Sequence, residues 1–205
     1  MLVTADIVQA VERINKAAAT LRDTLNDADR QLGDGDTGMT VGTVVAAWNA
    51  QSDLPVDIGE AVLALGKATS RATGSSLGGV LALGLTAAGR TLRGKESADR
   101  DAIVAALDAA VAAICSRSGA NPGDKTILDS LVRIRHELAR AHVSDDLAQV
   151  AKRAAADALS EFRERESRLG RARMYGARSI GHDDPGMLAA LRMLGASTDE
   201  TARSD

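Results

Sequence analysis

Apolar residues recur at intervals of three and four along almost the whole chain, and alternating or β-branched runs are scarce. That period matches the turn of an α-helix, and with alanine and leucine dominant it predicts an all-α fold. The first helix is expected after Thr4, as N-cap, with Val11, Ile14, Leu21 and Leu25 on its inner stripe and an end near Leu32. A second should cover about Met39 to Gln51, burying Val44, Val45 and Trp48. A third should follow Pro55, from about Asp57 to Ala72. Gly74-Ser75-Ser76 opens a fourth, rich in apolar and small residues and therefore central. Further helices are expected over Ala98–Arg117, Lys125–Ala141, Ser144 or Asp145 to Arg168, and Pro185 to about Leu194. Eight helices result, in one domain spanning residues 1–205, with a polar tail from Ala196 expected to fray. The connection Gly170 to Asp184 is too long to be a simple link, and long ordered loops commonly carry function.

Composition narrows the partners. The 25 basic and 28 acidic residues give a net charge of -3, and there is one residue each of Trp, Tyr and Phe. A nucleic-acid partner is therefore not expected, for want of both electrostatic attraction and stacking platforms. No apolar run reaches about 18 residues and no charged-then-apolar leader is seen, so no membrane span or secretory signal is expected and the protein should be cytoplasmic. A single cysteine, Cys115, excludes an intrachain disulfide and a multi-cysteine metal site.

The chemistry concentrates at Gly33-Asp34-Gly35-Asp36-Thr37-Gly38, preceded one turn earlier by Asp29. A backbone reversing at Gly33 and Gly35 could aim Asp29, Asp34 and Asp36 at one point. An all-carboxylate set suits a hard cation, Mg²⁺ or Ca²⁺, and Mg²⁺ shares its remaining sites with substrate phosphates. Thr37 and Gly38 start the next helix, whose free N–H groups favour anions. Taken alone, Asp-Gly-Asp is also what a solvated turn looks like.

Three other loops combine glycine, small hydroxyls and a helix start: Gly74–Ser76, Gly119–Thr126 and Arg178–Gly186. In a bundle of alternating direction, the loops that begin every second helix share one end. The carboxylates, Ser75 and Ser76, the Pro122-Gly123-Asp124-Lys125-Thr126 turn and Arg178 would then form one bowl fit for a polyphosphate. Each also has a structural reading: Ser75, Ser76, Asp124 and Asp184-Pro185 are good helix caps, and Lys125 suits a solvated first turn. The stretch 163–166 reads as a solvated helix face.

The ordered motifs Asp29-x4-Asp34-Gly35-Asp36-x-Gly38, Gly74-Ser75-Ser76, Pro122-Gly123-Asp124-Lys125-Thr126-Ile127-Leu128-Asp129, and Gly170-Arg171-Ala172 through Arg178-Ser179-Ile180-Gly181-His182-Asp183-Asp184-Pro185-Gly186 resemble the nucleotide-binding L subunit of dihydroxyacetone kinase, over nearly the whole chain. The resemblance implies an antiparallel eight-helix barrel with ATP or ADP at one rim and two Mg²⁺ on Asp29, Asp34 and Asp36. It implies that Thr37, Gly38, Met39, Thr40, Ser75, Ser76 and Arg178 meet the phosphates. Gly119, Thr126 and Ile127 would line the base and ribose region, and Asp184, Pro185 and Gly186 would close over the nucleotide.

The implied activity is phosphoryl transfer to a hydroxyl of a small ketose held by a separate K subunit, with ATP or a phosphocarrier protein as phosphate source; a homodimer is also compatible. Thr37, where many family members carry histidine, and Leu77, where glycine is frequent, depart from the pattern. Asp-Gly-Asp-Thr-Gly is also similar to the nucleotide domain of fatty acid kinases. A kinase for a tetrulose, or a nucleotide-binding regulator without transfer, remains the alternative.

Overall fold

In the computed structural model, which describes residues 1–198, the helical period is realised as α1 (Thr4–Lys16), α2 (Ala18–Leu32), α3 (Thr37–Asn49), α4 (Ile58–Ala72), α5 (Ser76–Leu92), α6 (Arg100–Ser118), α7 (Ile127–Arg140), α8 (Leu147–Arg163) and α9 (Pro185–Thr198). A 3₁₀ helix occupies Arg171–Ser179. One two-residue antiparallel ladder joins β1 (Leu2–Val3) to β2 (Ser97–Ala98), with Leu2 opposite Ala98 and Val3 opposite Ser97. The all-α expectation holds.

The expected first helix is divided at Ala17. Its backbone stays in the helical region (φ -83, ψ -2). The ladder runs on through it: Ala17 N–H donates to the Arg13 carbonyl (3.2 Å) and Leu21 N–H donates to that of Ala17 (3.0 Å). Val11, Ile14, Leu21 and Leu25 all enter one core, so α1 and α2 act as one rod and eight rods remain. Each rod packs on its sequence neighbours, and α9 returns onto α1, α2 and α8 to close the ring. The main core draws on both ends of the chain, with Leu25, Val44, Val45, Leu159 and Met187 among its members. Trp48 donates its indole N–H to Thr69 Oγ1 (2.8 Å), which joins α3 to α4.

Some boundaries differ from expectation. Thr4 is the first helical residue rather than the cap, and its hydroxyl donates to the Val56 carbonyl; Asp6 instead accepts from Val3 N–H. The seventh rod ends at Arg163, not Arg168, because its final carbonyls are taken from outside the helix: Lys125 Nζ donates to those of Arg163 and Arg165, and Gly181 N–H to that of Arg163. Residues 196–198, expected to fray, continue α9; the rest of that tail lies outside the described residues. Among the described residues no helix is long and apolar enough to cross a membrane.

Candidate functional site

Asp29 stands in the last turn of α2, buried to 6% exposure. Its Oδ2 accepts from the N–H groups of Asp36 (2.8 Å) and Thr37 (3.0 Å). One turn earlier, Asn26 Oδ1 accepts from Gly38 N–H (2.8 Å) and Met39 N–H (3.3 Å). The amides that open α3 are thus capped by α2, which corrects the expectation that they stand free for an anion. Residues 26 and 29 share one helix face, so both reach the start of the next helix.

Gly33 makes this closure feasible, since a Cβ there would lie 2.1 Å from Asp29 Oδ1. Gly35 turns the loop with a φ of +77, a region open to glycine at little cost. The exposed Asp34 and Asp36 are thereby folded back. One carboxylate oxygen from each of Asp29, Asp34 and Asp36 lies within 4.8 Å of the others. A single oxygen-seeking divalent cation could bridge such a set.

The helix starts expected to share an end do so. A cleft of about 760 Å³ is lined by Asp29, Asp34, Asp36, Thr37 and Thr40, by Ser75 and Ser76, by Thr126 and Ile127, and by Asp184, Pro185 and Gly186. The capping readings are realised at the same time. Ser75 Oγ accepts from Gly78 N–H (3.0 Å), Thr126 Oγ1 from Leu128 N–H (3.2 Å) and Asp184 Oδ1 from Met187 N–H (2.8 Å). Asp124 caps no helix; it accepts from Asn121 N–H within its own turn. The inner wall is apolar, with Val80, Leu83, Ile114, Leu128 and Leu169 beside the carboxylate end.

Burial pushes the Asp184 carboxyl up to about 7, against the opposing pull of the Met187 N–H bond and the Lys125 charge. Burial likewise raises Asp129, although Gly123 N–H (2.6 Å) and Thr126 N–H (2.8 Å) donate to it.

Four expected residues fall elsewhere. Arg178 is exposed, outside the cleft lining, with its guanidinium 5.5 Å from the Tyr175 ring centre. Met39 and Gly119 also lie outside the lining; Gly119 ends α6 in the left-handed conformation (φ 75). Gly38 is buried in the contact between α3 and α2, where a Cβ would meet the Arg22 carbonyl oxygen at 2.0 Å.

The arginine at the carboxylates is Arg171, which pairs with Asp34 and reaches Asp36 at 3.9 Å. Its signal in the sequence is the Gly170-Arg171-Ala172 motif, which marks this arginine no less than the later motif marks Arg178. Lys125, expected in solvent, is fully buried, and its ammonium donates to the carbonyls of Arg163 (3.2 Å), Arg165 (2.8 Å) and Ser179 (2.8 Å). Stretch 163–166 is exposed as expected, although α8 ends at its first residue; Arg163 forks onto Asp183 at 2.8 and 2.7 Å, and Arg165 lies over the Phe162 ring.

Known proteins resemble this chain in sequence and in fold. An L-erythrulose 1-kinase of Mycolicibacterium smegmatis is 32% identical over 204 residues, covering 97% of this chain and 36% of that protein. The ADP-binding subunit DhaL of the PEP-dependent dihydroxyacetone kinase of Escherichia coli is 26% identical, with 92% of each chain covered. The crystal structure of the dihydroxyacetone kinase from C. freundii in complex with AMP-PNP and Mg²⁺ superposes with a TM-score of 0.73 at 25% identity, over 94% of this chain and 33% of that one. The chain thus spans about a third of the length of the larger kinases it matches. The model of the DAK2 domain matches residues 31–199, from the end of α2 across the acidic loop and every later helix, and the chain belongs to the DAK2 domain family.

Proposed function

We propose that this chain is the nucleotide-binding part of a dihydroxyacetone-type kinase, transferring a phosphoryl group from ATP, or from an ADP recharged by a phosphocarrier, to a hydroxyl of a small ketose. The observation that carries the reading is the convergence of the Asp29, Asp34 and Asp36 oxygens within 4.8 Å at the mouth of a cleft large enough for a nucleotide. The named ligands and activities of the DAK2-family relatives support it.

Asp29, Asp34 and Asp36 would hold Mg²⁺, two ions by the family resemblance, and their oxygen-only donor set fits that metal. When bound, Mg²⁺ supplies charge neutralisation along the phosphate chain. Arg171 provides positive charge beside Asp34 and Asp36 and takes the phosphate role first assigned to Arg178. Ser75, Ser76, Thr37 and Thr40 bring hydroxyl-bearing side chains to the same cleft, which Asp184, Pro185 and Gly186 also line. The apolar wall of Val80, Leu83, Ile114 and Leu128 suits the base, with Thr126 and Ile127 near the ribose. Asp29 also fixes the start of α3 through two backbone amides, so the metal position and the loop geometry are set together.

The ketose would be held by a separate K subunit or lobe, as the family resemblance implies. DhaL is named as one subunit of its kinase, which favours the separate form. A tetrulose is the second reading, favoured by the relatives named for L- and D-erythrulose. The test is a transfer assay with purified chain, a ketose-binding partner, Mg²⁺ and ATP, against dihydroxyacetone and both erythruloses. Transfer that requires both proteins is the expected result. Transfer by this chain alone would overturn the two-part model, and nucleotide binding without transfer under any partner would favour a regulator.

A further inference from the structure

Most helical glycines of this chain are explained by packing. A Cβ would lie 2.2 Å from the Arg93 nitrogen at Gly59, 2.3 Å from Thr73 Cγ2 at Gly78 and 2.8 Å from the Gly59 carbonyl oxygen at Gly89. Gly42 in α3 and Gly79 in α5 differ, because a Cβ at either meets nothing within 4 Å. Glycine weakens a helix relative to alanine, so neither has a reason to be glycine in the protein by itself. Of the two, only Gly79 lines the cleft.

Its place in the cleft is specific. Gly79 lies three residues beyond Ser76 and four before Leu83, on the α5 face that runs from the hydroxyls to the apolar wall. It therefore marks the step from the phosphate end to the end suited to a base. We infer that Gly79 is a specificity-determining residue: its missing Cβ leaves room for the nucleoside part of the nucleotide as it crosses the first turn of α5. The inference builds on the nucleotide reading above and adds to it a residue that the motifs do not mark.

The test compares the intact protein with Gly79→Ala and, as control, Gly42→Ala. Thermal unfolding without ligand should shift upward by about 2–4 °C in both variants, because each gains helix propensity without a clash. Calorimetry in Mg²⁺ should show Gly79→Ala binding ADP about tenfold more weakly, the order expected for one methyl forced into an occupied contact. Its affinity for tripolyphosphate, which lacks the nucleoside, should stay that of the wild type, and Gly42→Ala should bind both ligands normally. Unchanged ADP affinity in Gly79→Ala would overturn the inference, as would an equal loss for the two ligands. Failure of the wild-type protein to bind ADP at all would instead overturn the nucleotide reading itself.

Discussion

At the scale of single residues, the arrangement turns on two charged side chains, Lys125 and Arg171, whose partners lie far along the chain. Lys125 holds an unusual backbone (φ 61) and buries its ammonium among carbonyls 38 to 54 residues away. Lys125→Met would strand those carbonyls and should lower unfolding free energy by about 3 kcal/mol in a denaturant titration, with the segment around Ser179 loosened first. Arg171 and Arg178 were indistinguishable by local sequence, and only the path of the 3₁₀ segment decides which meets Asp34. The aspartate trio was legible because its geometry is local, a stretch of eight residues with glycines at the turns.

Asp184 gives a pH test. Its folded pKa, about 7, lies above the ordinary 3.8. The folded state then binds more protons than the unfolded one between those values, so stability from this group is full below about pH 4 and is lost as pH rises through 7. Asp184→Asn keeps an acceptor for Met187 N–H and should flatten the fall in ligand-free thermal stability between pH 4 and 7. Some slope should remain, since Asp129 is raised as well. An identical slope in the variant would contradict the burial argument.

At the scale of elements, the α2 to α3 junction joins fold to site. Asn26→Ala removes the acceptor of two buried-end amides and should destabilise the protein by about 1–2 kcal/mol in denaturant, within the range for lost helix caps. Some helix starts were readable because their caps are the usual side chains, Ser75 and the pair Asp184-Pro185; the start of α7 was not, because Thr126 rather than Asp124 caps it. The end of α8 was not, because Lys125 and Gly181, distant in sequence, terminate it where an apolar period alone would continue. The break at Ala17 was equally hidden, since the inner stripe runs through it.

At the scale of the molecule, alternating direction and a closed ring account for the site's assembly. With eight rods, the starts of α3, α5, α7 and α9 necessarily meet at one rim, and this parity could be counted from the sequence before any contact was known. Closure of α9 onto α1 and α2 was implied by the family resemblance and not by the periodicity.

The most direct test of the whole account is the Mg²⁺ dependence of ADP binding, measured by calorimetry for the wild type and for Asp34→Asn, whose exposed side chain should leave folding intact. The account predicts tight binding in Mg²⁺, its loss in excess chelator, and at least about a tenfold weaker affinity in the variant. ADP affinity that is indifferent to both chelator and substitution would contradict it.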